Sequence, residues 1–207
     1  QYLKTVNWLS RDVFVVFVDS SLPYGAGARA WLSAYFSGDT AVRRGTIRQA
    51  LAFQTRTGAA SILLDVEGIN GMLPNQDLVN IFSNGARDRP GLNVHNRETW
   101  DSVYYTLRNG GVHSLHAPFL EAQIPAFTVR GQRAKGEKGK LNLASTLQSF
   151  ELCFRCLGNN LQQLHHSFNF YFFTGPRSHI SNGLYLYPVF AMQLPLISFL
   201  ILNPAYR

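Results

Sequence analysis

The chain has 207 residues, 46% hydrophobic and only 15% charged, with a formal net charge of +7. That length suits one domain with a sizeable core and is marginal for two. Two cysteines exclude a disulfide scaffold, and the positive charge suits an acidic partner such as anionic lipid or phosphate, although an ordinary basic protein carries as much.

Gln1 to Leu9 reads like the last turns of a helix, so the chain is expected to begin inside a domain, and no signal peptide is visible there. Val13-Phe-Val-Val-Phe-Val18 is an unbroken apolar run that predicts a strand buried on both faces of a parallel sheet. A turn-rich loop follows from Asp19 to Gly25. Ala26 to Phe36 is predicted helical, with Ala30, Trp31, Ala34 and Tyr35 on one stripe. Gly45 to Phe53 reads as a second helix, and Ser61 to Glu67 as a buried strand closed by Gly68. Gln76 to Phe82 is a short helix with Asp77 placed to favour its N-terminus. Arg97 to Arg108 is a further helix, and Ile124 to Val129 a strand in which Pro125 is tolerable at the start. Leu143 to Phe173 reads as a long amphipathic helix. Strands alternating with helices imply an α/β fold with a mostly parallel sheet flanked by helices. Ligands in such folds bind beyond the carboxyl ends of the strands.

No charged residue occurs from Ile180 to Tyr206. Gly183 to Pro204 has about the length of helix needed to cross a bilayer, roughly 20 residues. Tyr185 and Tyr187 stand where an aromatic belt would place them. Pro188 and Pro195 would break a soluble helix, and membrane helices tolerate proline better. The competing reading is a buried core helix that ends the domain. The expected organisation is an α/β body over 1–145, an amphipathic membrane-proximal helix over 146–178 and a transmembrane segment over 183–204.

Asp19 follows the first predicted strand, Asp65 and Glu67 end the second, and His113 and His116 lie in the loop before the third. Carboxylates and histidines gathered at strand ends are the raw material of a metal hydrolase site. Phe17-Val-Asp19-Ser-Ser-Leu-Pro-Tyr-Gly-Ala-Gly27-Ala-Arg29-Ala-Trp31 resembles the segment of the di-zinc aminopeptidases that reads Phe-Thr-Asp-Gly-Glu-Glu and then Gly-Ala-Arg-Ala-Trp. Leu64-Asp65-Val-Glu-Gly68 is similar to their Leu-Asp-Met-Val-Gly, and Ser114-Leu-His116-Ala-Pro-Phe119 to their Ser-Asp-His-Ala-Pro-Phe. The resemblance implies their fold with its N-terminal strands upstream of Gln1. It also implies vestigial metal-site positions at Asp65 and His116. The family's paired glutamates, general base and metal ligand, are replaced by Ser21 and Leu22. A serine is a poor base and a leucine cannot hold a borderline cation. Two remaining ligands are too few for a catalytic zinc, so no catalytic residue, metal or cofactor is expected. Asp19, Glu67, Asn70 and His113 are kept as candidates for binding. Asp65→Asn is expected to leave function nearly intact.

Glu67-Gly-Ile-Asn-Gly71 with the residues around it, Phe127-Thr-Val-Arg-Gly131, and Leu161-Gln-Gln-Leu-His-His-Ser-Phe168 leading to Ser181-Asn-Gly-Leu-Tyr-Leu-Tyr-Pro188 resemble the Gaa-type subunit of glycosylphosphatidylinositol (GPI) transamidase. That resemblance implies a lumenal domain of the endoplasmic reticulum held between transmembrane helices. The complex exchanges a protein's C-terminal signal for a GPI anchor, and the cleaving cysteine belongs to another subunit. The role implied here is non-catalytic assembly and recognition, with the other transamidase subunits, GPI lipid and the membrane as partners. The alternatives are an active membrane-anchored metallo-aminopeptidase of altered ligand set, and an adhesion or receptor-like domain on the same fold.

Cys153 and Cys156 read as buried apolar cysteines on one helical face rather than a redox pair. The basic stretch Arg130 to Lys140 reads as a solvated loop that could also meet phosphates. It lacks interleaved aromatics, so nucleic acid is not an expected partner. His165 and His166 diverge by about 100° on a helix and cannot chelate together. Phe168 and Phe170 to Phe173 would place aromatic rings on every face of that helix, which suits lipid or a partner surface.

Overall fold

Two short apolar strands with opposite chain directions form the middle of the molecule. In this computed structural model, which describes residues 3, 5–19, 25–39, 45–55, 58–112, 114–133, 140–159 and 170–202, they are β2 (Ser61–Asp65) and β4 (Ala126–Gln132). They pair antiparallel, with Leu64 opposite Val129 and Asp65 opposite Thr128. Each carries a parallel neighbour on its outer side: β1 (Ala50–Gln54) beside β4, and β3 (Val94–Asn96) beside β2. The order is β1-β4-β2-β3, so two of its three pairings are parallel and the central one is not.

Alternation along β2 and β4 separates two faces. Ile62, Leu64, Phe127 and Val129 are fully buried on one face. There they meet α2 (Gln76–Arg87), which presents Leu78, Val79, Phe82 and Ala86, and α5 (Leu143–Asn159), which contributes Cys153. Asn75 caps α2, its Oδ1 accepting from Asp77 N at 2.9 Å, and Asp77 stands in the first turn where the helix dipole favours it. The other face carries Asp65, Thr128 and Arg130 and is covered by α4 (Ala117–Glu121). α1 (Ala26–Ser37) packs on α4 through Trp31 and Phe119, ring centroids 6.3 Å apart, and buries Ala28, Leu32 and Tyr35. The expected stripe on this helix is thus offset: Ala30 is exposed.

Several expectations are corrected. Val13–Val18 is not a strand: Val15 is 67% and Phe17 96% exposed. The segment lines a groove opposite β1 instead of bonding to its edge, and a strand exists only with a partner for its backbone. The described residues from Thr5 to Leu9 form no helix. Gly45–Phe53 is not helical either, because Ala50–Gln54 finds a parallel partner in β4, Ala50 opposite Ala126. Sheet pairing there overrides a weak local preference.

The long helix expected to Phe173 ends, among the described residues, at Asn159. Tyr171–Gly175 is β5 and pairs with β6 (Ser178–Ser181) as an antiparallel hairpin. Tyr171 and Phe173 are 2% and 5% exposed while Phe172 is 55%, the period of a strand. Of the four described rings from Phe170 to Phe173, two join the core and two are exposed, so they do not surround a helix. The Thr99 hydroxyl accepts from Phe173 N at 3.0 Å, tying the hairpin to α3 (Thr99–Asn109). From β6 the chain passes directly into α6 (Asn182–Leu202), 21 residues with Pro188 and Pro195 inside. Among the described residues no helix is long and apolar enough to cross a membrane, so the transmembrane segment expected over 183–204 is not borne out.

Candidate functional site

Three of the sequence candidates meet on the polar face of the sheet. Asp65, at the end of β2, is 5% exposed, and both carboxylate oxygens are engaged. Arg97 Nε lies 2.7 Å from Oδ1, an ion pair whose N–H is not aligned for a hydrogen bond. Arg130 Nη2 lies 2.8 Å from Oδ2, and the Ser114 hydroxyl donates to the same oxygen at 3.4 Å. Arg130 comes from β4, where Leu63 is its direct partner and Asp65 its diagonal one. It belongs to the sheet and not to a solvated basic loop. Ala134 to Gly139, the rest of that loop except Lys140, lies outside the described residues.

His116 is completely buried. Its Nε2 sits 3.1 Å from the Glu67 carbonyl and its Nδ1 2.8 Å from Thr128 Oγ1. A carbonyl only accepts, so Nε2 carries the proton and Nδ1 accepts from the Thr128 hydroxyl. Burial, against the nearby Asp65 carboxylate, lowers the imidazole to about 4 and keeps it neutral. The Glu67 carboxyl is half-buried; burial raises it, opposed by a hydrogen bond with Ser102 and reinforced by Asp65.

The arrangement is closed to added ligands. A metal at Asp65 would have to displace a guanidinium, and a metal at His116 would have to take a ring nitrogen already in use. Among the described residues, no group of three or more His, Cys, Asp and Glu side chains could hold a metal ion. The residues here do not fit the two zinc ions that the aminopeptidase resemblance implies. Two guanidinium groups, one on each carboxylate oxygen, neutralise Asp65 instead.

The remaining candidates are more scattered. Asp19 is exposed, and its backbone oxygen would stand 3.1 Å from a Cβ placed on Gly27 in the first turn of α1. Asn70 is exposed in a 3-10 turn with φ 59, a left-handed conformation that asparagine tolerates. Ser21, Leu22, His113, His165 and His166 lie outside the described residues. Cys153 is buried and its thiol is pushed up to about 12 by burial; Cys156 is exposed, so the two do not share a buried face as expected. A groove of about 1520 Å³ runs between Leu9–Val18, α1, β1 and α5; His116 touches it, but Asp65, Glu67, Arg97 and Arg130 do not line it.

Sequence reasoning missed Arg97, Arg130, Ser102, Ser114 and Thr128 as members of this cluster. For Arg130 a signal was present: it lies two residues after Thr128 in a strand, hence on the same face. For Arg97 there was none, since it reaches Asp65 only through the pairing of β3 with β2.

The comparisons with known proteins agree on one family. The chain is 28% identical over 213 residues to the GPI transamidase component gaa1 of Schizosaccharomyces pombe, covering 90% of this chain and 36% of that protein. It is 25% identical over 201 residues to the GPI transamidase component GAA1 of Saccharomyces cerevisiae, covering 89% of this chain and 32% of that protein. It thus spans about a third of the length of these curated relatives. A family model described as Gaa1-like, GPI transamidase component, matches residues 1–202, and the chain belongs to that family.

Proposed function

We propose that this chain is the lumenal part of a subunit of GPI transamidase in the endoplasmic reticulum, which helps assemble the complex and recognise GPI or the protein substrate without doing the chemistry. Family membership supports the complex and its other subunits as partners. The observation that carries the non-catalytic part is the closed state of Asp65 between Arg97 and Arg130, beside a neutral His116 with both ring nitrogens occupied. A carboxylate already neutralised by two cations is neither a metal ligand nor a general base in waiting. An aminopeptidase-like ancestry, with Asp65 and His116 as relics of its metal site, would account for this cluster. The uncharged α6 is proposed as a membrane contact.

The test uses the full-length subunit. Metal content by mass spectrometry and turnover of aminopeptidase substrates should both be negligible. In cells lacking the subunit, the full-length Glu67→Gln variant should restore GPI-anchored protein at the surface in proportion to its abundance. Stoichiometric zinc, with peptidase turnover abolished by His116→Ala, would overturn the reading in favour of a working metallo-aminopeptidase.

A further inference from the structure

Helix α3 is amphipathic the wrong way round for a core helix. It turns Ser102 inward as its buried residue, while Trp100 is 82%, Val103 39%, Tyr104 65% and Leu107 77% exposed. These four stand at i, i+3, i+4 and i+7 and so form one stripe. Asp101 and Arg108 border it, and Tyr105 lies off it, under the Arg97 guanidinium at 4.9 Å. A continuous apolar stripe on an exposed helix face is a contact surface.

Three observations say what covers it. The residue types are those of a membrane interface: tryptophan and tyrosine have an apolar body and a polar tip that suit the headgroup level. The stripe is also continuous in the fold with the segment proposed above as the membrane contact. Thr99, immediately before Trp100, holds Phe173 of β5. On that hairpin Phe172 and Ile180 are paired and both exposed, and β6 leads without a break into α6. The net charge of +7 favours an anionic surface.

We propose that α3 is an interfacial helix whose Trp100, Val103, Tyr104 and Leu107 side chains lie in the lipid headgroup layer beside α6. The proposal rests on the reading of α6 as a membrane contact. The two are separated by nitroxide labels at Trp100→Cys, at Asp101→Cys as the off-stripe control, and at Phe190→Cys within α6, each in the full-length protein with its other reactive cysteines replaced. The protein is placed in nanodiscs of phosphatidylcholine and phosphatidylserine, and collision rates with oxygen and with a water-soluble nickel chelate are read. Position 100 should favour oxygen over the chelate, and position 101 the reverse. Chelate-rich collisions at 100 with oxygen-rich collisions at 190 would overturn the interfacial helix and leave α6 in the membrane. Protection of position 100 from both reagents would mean a protein surface covers the stripe, and would overturn the proposal equally. Oxygen-rich collisions at 100 without them at 190 would sustain the interfacial helix and remove the reading of α6. All three side chains are exposed, so the labels leave the core intact.

Discussion

At the scale of residues, the behaviour of the site follows from who neutralises whom. Asp65 and its two arginines are a nearly buried trio, and removing the carboxylate charge leaves two guanidinium groups facing each other. Breaking a buried pair costs about 3–5 kcal/mol. The arginine side chains are 16% and 22% exposed, which places Asp65→Asn toward the lower end of that range, read as a fall in the urea midpoint. A domain of this size has only about 5–15 kcal/mol in hand. The ion pairs make Asp65→Asn a stability change: any fall in function is expected to follow the amount of folded protein, not lost chemistry. His116 supplies a pH signature. Its folded value is about 4 against 6.5, so the unfolded chain binds more protons between those limits. Its contribution is whole above pH 6.5 and is lost as the pH falls to 4, about 3 kcal/mol at ~1.4 kcal/mol per pH unit. Glu67 is raised and acts with the opposite sign, but it is present in both proteins of a comparison with His116→Asn. Denaturant titrations should therefore show a shallower decline for the variant over pH 6.5 to 4, and equal slopes would remove buried His116 as the cause.

At the scale of elements, the hairpin is the sharpest case. Phe173 is 5% exposed and Phe172 55%, so Phe173→Ala should cost about 3–5 kcal/mol and Phe172→Ala well under 1. Thermal melts of the two variants check this; comparable losses would contradict a strand at that position. Tyr171 adds a hydroxyl that donates to the Pro74 carbonyl at 3.2 Å, joining the hairpin to the start of α2. A second case is Gly68, where a Cβ would stand 2.7 Å from Leu120 Cδ1 and 3.2 Å from Leu120 Cβ. The close approach of α4 to the end of β2 depends on that missing side chain. Gly68→Ala should cost about 1–3 kcal/mol, again read by thermal melting, and should loosen the segment that carries His116.

At the scale of the whole molecule, what was legible in the sequence was whatever local pattern controls. The strand Ser61–Asp65, the helices α1, α2 and α3, the absence of charge in α6 and the candidates Asp65 and His116 all follow from period, capping and composition. The family resemblance was legible for the same reason, as short motifs in order. The tertiary structure decided what depends on a distant partner. Ala50–Gln54 is a strand because β4 lies beside it, and Val13–Val18 is not one because no strand among the described residues pairs with it. β5 forms where an amphipathic helix was expected, since alternation every two residues buries Tyr171 and Phe173 against the core. The antiparallel centre of the sheet puts Arg130 diagonal to Asp65, and that pairing is what closes the site. Residue types and their spacing thus determined which groups were available for chemistry. Strand register, a property of residues far apart in the chain, determined that those groups neutralise one another.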